Sequence, residues 1–141
     1  MTSQTEDSRA IVVKFVDAFG DQRFDDARSL LHDEFVAHAA GDVPYSGDYR
    51  GSAGFLELVT KMSEALEVTP TSEMRFVADG DTVVLHYRLK FTGRVSGKSA
   101  EMSMAEVFTV RDGFITELDV FYKNPSAVQA LLGGPATSGV P

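Results

Sequence analysis

The chain has 141 residues, no cysteine and a formal net charge of −8. That length fits one domain with a real core, and the missing cysteines exclude disulfides, thiol catalysis and thiolate metal sites. The negative charge repels phosphate backbones, which argues against nucleic acid as a partner.

No apolar run approaches the ~18 residues of a membrane span. The opening MTSQTEDSRA lacks a basic region followed by an apolar stretch, so a soluble, cytoplasmic protein is expected. From Glu6 to Phe19, the residues Ile11, Val12, Phe15, Val16 and Phe19 recur at helical spacing, and Gly20 ends the run. The acidic pair Glu6-Asp7 suits the dipole of that helix start. A second short helix follows at about 24–31, then an extended segment at 35–38. The stretch GDVPYSGDYRG reads as a loop. Ser52 caps a third helix with Phe55, Leu58, Val59, Met62 and Leu66 on its buried stripe, and Pro70 limits it.

After Pro70 the period changes from 3.6 to 2. Segments 75–78, 82–91, 100–111 and 114–123 read as four antiparallel strands, and 125–132 adds a helical turn. The tail, 133–141, is expected to be disordered. The domain is thus 1–132. Three helices followed by long strands predict an α+β fold: a strongly curved antiparallel sheet wrapped around the helices, enclosing a conical cavity.

The hairpin AEVFTVRDGFITELDVF, 105–121, carries one acid on each arm. A two-residue turn at Asp112-Gly113 sets Glu106 directly opposite Asp119, where like charges repel. Which face they occupy must come from the strands. On the strand 83–91 the odd residues are Val83, Leu85, Tyr87, Leu89 and Phe91, and the even set includes His86, Arg88 and Lys90. Burying three such polar groups costs several kcal/mol each, so the odd face is inside. In the register set by the turn, Leu118, Val120 and Tyr122 face inward with Val107, Ala105 and Ser103. Glu106 and Asp119 then face outward with Met104, Phe108, Ile115, Glu117 and Phe121, beside His86 and Arg88.

Four motifs carry a resemblance: Asp33-Glu34-Phe35-Val36-Ala37-His38; Tyr49-Arg50-Gly51 opening a helix; Ala78-Asp79-Gly80-Asp81-Thr82-Val83-Val84; and Val110-Arg111-Asp112-Gly113-Phe114-Ile115. Over about residues 8–132 they resemble the SnoaL-like branch of the nuclear transport factor two-like superfamily. The resemblance implies the curved-sheet cone, and often a homodimer through the outer face of the sheet, whose mixed composition suits an interface. It leaves activity open, because the superfamily contains isomerases, epoxide hydrolases, polyketide cyclases, dehydratases and binding domains. By count, the ketosteroid isomerase residues fall at Ala39, Phe15 and Ala105. The aspartate of cyclases and epoxide hydrolases falls at Val120, and the epoxide hydrolases' further pair at Tyr87 and Leu89. A slip of one residue would instead bring His38, Glu106 and Asp119 into those places.

The expected cavity lining is Phe15, Phe19, Tyr45, Tyr49, Phe55, Leu58, Met62, Leu85, Ala105, Val107, Leu118 and Val120. Candidate catalytic groups are His38, which titrates near neutrality, and the phenols Tyr87 and Tyr122, which can donate to an oxyanion. Each has a structural alternative: a core phenol bonded to a backbone carbonyl, or a histidine satisfied by neighbours. The histidines lack metal-ligand spacing and no glycine-rich phosphate loop follows a strand, so neither metal nor cofactor is expected. The reading is an enzyme of the cyclase, isomerase or dehydratase type, acting on an apolar polyketide- or terpenoid-like small molecule. The alternatives are a non-catalytic ligand-binding or dimerisation module, and an epoxide hydrolase-like enzyme using Glu106, Asp119 and Arg88.

Overall fold

A computed structural model of the chain describes residues 3–132, so the expected disordered tail lies outside the described residues. Helix α1 spans Gln4–Gly20. It starts at Ser3, whose hydroxyl accepts from the Glu6 N–H at 3.1 Å while the Glu6 carboxylate accepts from the Ser3 N–H, also at 3.1 Å. Helix α2 is short, Phe24–Arg28, and strand β1 runs Leu31–Ala39. Strand β2, Gly47–Arg50, leads directly into α3, Gly51–Ala65, and strand β3 follows as Leu66–Pro70. The long strands come next: β4 Arg75–Asp79, β5 Thr82–Gly93, β6 Ser99–Arg111 and β7 Phe114–Tyr122. Helix α4, Pro125–Leu132, closes the order.

The strands form one sheet in the order β2-β1-β7-β6-β5-β3, with β4 also paired to β5. All pairs are antiparallel except β1 with β7. Helix α3 touches β1 and β2 at one edge and β3 at the other. The fold is the expected α+β architecture, an antiparallel-rich sheet curled but not closed into a barrel.

Two close approaches fix how the helices sit. A Cβ at Gly54 would lie 2.8 Å from the Tyr49 carbonyl carbon, so only glycine lets α3 lie flat on β2. At Gly93 a Cβ would meet the Leu131 carbonyl oxygen, so glycine there seats α4 on the end of β5.

The inner face of the sheet is apolar on β5 as the odd-numbered set predicts: Val83, Leu85 and Phe91 are fully buried and Leu89 nearly so. On β6 the inner set is the reverse of the expectation. The turn at Asp112-Gly113 is two residues long, both with positive φ, and Arg111 pairs with Phe114 and Val110 with Ile115. Thr109 then pairs with Glu117, so Thr116 is an extra residue, a β-bulge. Beyond it Glu106 opposes Val120, not Asp119, and Val107 opposes Asp119. Leu85 pairs with Glu106 and Val83 with Phe108, so Met102, Met104, Glu106, Phe108 and Val110 face inward. Ala105 and Val107, expected in the lining, lie on the outer face, and the expected outward placement of Glu106 is corrected. Leu118, Val120, Tyr122 and Asp119 keep the faces expected of them, because the slip occurs between them and the turn.

Candidate active site

Three neighbouring strands build the polar part of the inner face. Tyr87 of β5, Met104 of β6 and Tyr122 of β7 form one cross-strand row, and Leu85, Glu106 and Val120 form the next. Glu106 is therefore the diagonal neighbour of both tyrosines, within reach of long side chains. It lies deep, with protein on every side, yet its side chain keeps some contact with solvent. The inner-face residues Ala39, Val59, Met62, Tyr87 and Val120 are likewise half-buried, while Leu85, Phe91, Phe108 and Leu118 are closed off. Apart from the two tyrosines, the half-buried side chains on this side of the sheet are apolar, so Glu106 is the one carboxyl among them.

Among the described residues that half-buried carboxyl accepts no hydrogen bond and forms no ion pair. Desolvation pushes its pKa up from 4.5 to about 7. The two phenols respond in the opposite functional sense. Burial raises the Tyr122 and Tyr87 pKa values well above the ordinary 10, with the nearby Glu106 charge adding to each. Both stay protonated and can donate to a ligand oxygen. The Tyr122 hydroxyl lies 3.0 Å from that of Tyr45 and donates to Met62 Sδ at 3.9 Å. Its ring meets Phe91 edge-on at 5.0 Å. Burial raises the Tyr45 pKa as well, which the bond to Tyr122 partly offsets.

The wall opposite the sheet is aromatic. Phe15 of α1 packs against Phe55 of α3 at 5.4 Å and against Phe108 at 5.8 Å, and Phe19 extends the cluster to Phe24 and Phe55. Leu58 is buried on α3 beside it. The loop between β1 and β2 brings Tyr45 to the mouth, and the Tyr49 hydroxyl donates to the Tyr45 carbonyl at 2.8 Å, holding that loop.

The profile of the SnoaL-like domain matches residues 12–118. The chain belongs to the SnoaL-like family. Among solved structures, an NTF2-like protein from Burkholderia xenovorans LB400 superposes with a TM-score of 0.84 at 22% identity, covering 91% of this chain and 97% of that one. A "putative polyketide cyclase" from Xanthomonas campestris pv. campestris gives 0.78 at 18%, covering 92% and 99%. TerC, co-crystallised with polyporic acid, gives 0.76 at 20%, covering 91% and 99%. At these identities the likeness is one of fold. No curated protein matches.

In this SnoaL-like domain the expected catalytic trio is split. Tyr87 and Tyr122 share the inner face, but His38 stands on the outer one. Its Nδ1 lies 2.7 Å from Asp48 of β2 and its Nε2 2.8 Å from Glu117 of β7. Hydrogen bonding to Asp48, and then to Glu117, raises its pKa above 6.5. The set Glu106, Asp119 and Arg88 does not converge either. Arg88 is on the outer face, its Nε 3.1 Å from Glu101 and its Nη1 3.3 Å from Ser103, and Asp119 lies beside His38 in the register. Of the expected lining, Phe15, Phe19, Tyr45, Tyr49, Phe55, Leu58, Met62, Leu85, Leu118 and Val120 are inside. The group that sequence reasoning placed outside, Glu106, had a signal: the even positions of its strand hold Met102, Met104, Phe108 and Val110, bulkier than the odd Ser103, Ala105 and Thr109. Among the described residues no helix is long and apolar enough to cross a membrane.

Proposed function

We propose that this SnoaL-like protein is a cytoplasmic enzyme that binds an apolar organic molecule of polyketide or terpenoid type in a hollow on the inner face of the sheet and moves a proton on it with Glu106. The observation that carries the reading is the Glu106 carboxyl, without a hydrogen-bond or ion-pair partner among the described residues, on the apolar inner face of the sheet and diagonal to two protonated phenols. With a pKa near 7 it is part carboxylate and part acid at neutral pH, the condition general acid–base catalysis favours. The carboxylate takes a proton from the carbon beside a ligand carbonyl. Tyr87 or Tyr122 donates a hydrogen bond to the oxygen on which negative charge then develops. The proton held by Glu106 returns to a different carbon in an isomerisation, to the alkoxide formed by internal carbon–carbon closure in a cyclisation, or to a departing hydroxide in a dehydration. Each route leaves Glu106 ready for the next turnover and needs no cofactor or metal.

The test is exchange of the α-hydrogens of aryl ketones for deuterium, followed by NMR. Glu106→Gln is expected to slow it roughly 10²–10⁴-fold while ligand still binds, with smaller losses for Tyr87→Phe and Tyr122→Phe. Binding without exchange in the native protein would instead favour a ligand-binding module. A homodimer through the outer face belongs to the same proposal. Val77 and Phe121 are 51% exposed there, with the cations of β5 on one side and Asp119, Glu117 and Asp48 on the other, so a two-fold axis along the strands sets each charge over its opposite.

A further inference from the structure

The inner face of the sheet carries no lysine, arginine or histidine among the described residues. Those of β4, β5 and β6, namely Arg75, His86, Arg88, Lys90 and Arg111, are exposed, and β7 has none. Of the four helix cations, Arg9 and Lys14 of α1 are exposed, Arg28 reaches Asp25 at 3.6 Å and Lys61 reaches Glu57 at 3.1 Å. The Glu106 charge acts on Tyr87 from β5 and Tyr122 from β7. Tyr122 in turn touches Met62 from α3 and Tyr45 from the β1–β2 loop, and Phe15 from α1 packs on Phe108, the next inward residue of β6. None can compensate a negative charge except by a phenol hydrogen bond.

We infer that Glu106 is a specificity-determining residue that filters ligands by charge, so that the hollow accepts neutral molecules and rejects those whose buried part bears a carboxylate, sulfonate or phosphate. This rests on the proposed hollow and deepens it by fixing one property of the substrate. Two like charges about 5 Å apart in a medium of effective dielectric ~20 repel strongly enough to weaken binding by roughly two orders of magnitude. The easier route for an anion is to bind together with a proton on Glu106. Apparent affinity for an anion therefore falls about tenfold for each pH step above the Glu106 pKa, while that of a neutral ligand stays level.

The experiment uses the full chain and a matched pair. N-phenylnaphthylamine, a neutral fluorescent probe, occupies the hollow, and naphthamide or naphthoate displaces it between pH 6 and pH 9. Naphthoate is ionised throughout that range. In the native protein the naphthoate-to-naphthamide affinity ratio is expected to fall about tenfold between pH 6 and pH 8 and further by pH 9, on top of the pH-independent cost of burying the naphthoate charge. In Glu106→Gln that ratio is expected to be higher at pH 8 and level with pH, and retained probe binding shows that the variant is folded. An unchanged naphthoate-to-naphthamide ratio in Glu106→Gln would overturn the charge filter alone. Failure of probe and naphthamide to bind the native protein would overturn the hollow itself, and the filter with it.

Discussion

Glu101 and Glu106 lie five positions apart on the same strand and live in opposite surroundings. Glu101, on the outer face, accepts from the Thr71 hydroxyl at 2.9 Å and from Arg88 at 3.1 Å, and those bonds lower its pKa. Glu106, on the inner face, accepts from no described residue and its pKa rises to about 7. An odd number of residues between two positions of a strand keeps one face; an even number exchanges it. Identical chemistry thus becomes a surface anchor in one case and a desolvated acid in the other. What separates them is register, and the register on the hairpin side of the site is set by the extra residue at Thr116.

The strongest way to break this contrast is to delete Thr116. The hairpin then either keeps its turn register and rotates Leu118, Val120 and Tyr122 to the outside, or carries Glu106 out and its apolar neighbours with it. At roughly 1.5–3 kcal/mol for each large side chain removed from the core, the loss exceeds about 4 kcal/mol, a large share of a small domain's stability. Urea unfolding followed by circular dichroism should show the transition lost or shifted far to lower denaturant. An unmoved midpoint would mean that the bulge does not hold the two faces in place.

The next effect is smaller and has a defined pH dependence. The folded pKa of Glu106 is about 7 against 4.5 for a free carboxyl. Between those values the folded state binds more protons than the unfolded one, so stability falls as pH rises and levels off above about 7. The full penalty is at most about 3 kcal/mol, from 1.36 kcal/mol for each pH unit of displacement. Glu106→Gln should therefore be more stable than the native protein at pH 8 and indistinguishable from it at pH 4. A gain that does not grow with pH would show that the carboxyl is not desolvated.

Much of this was legible in the chain. The helical stripes of α1 and α3 and the alternation on β5 gave the fold, because each reports burial by one face of one element. Strands β2 and β3 were not legible. Gly47 and Asp48 look like loop residues and pair only because β1 lies alongside, and Leu66 continues the helical stripe of α3 before the chain turns extended. The bulge had no local signature, since Thr116 is an ordinary strand residue. His38 finds its two partners 10 and 79 positions away, a juxtaposition no short pattern encodes. The face of the Glu106 carboxyl escapes the two-residue turn rule, because the bulge at Thr116 shifts the register between the turn and the site.

The smallest effects belong to the outer face, and they sharpen the contrast by having the opposite sign. His38 joins β2, β1 and β7 through Asp48 and Glu117, and its folded pKa is raised above 6.5. Its stabilisation is fully present below about pH 6.5 and is lost as pH rises through the raised folded value. The side chain is one-third exposed, so solvent screening reduces a charge-assisted pair of hydrogen bonds to about 1 kcal/mol. His38→Ala should lower the urea midpoint at pH 5.5 and change it little at pH 9, the reverse of the Glu106→Gln profile. Glu101→Gln should leave no measurable shift at either pH, because Thr71 and Arg88 return to water at little cost. Should His38→Ala abolish deuterium exchange without altering stability, the outer-face histidine would be acting on the chemistry, and the division of labour between the two faces would fail.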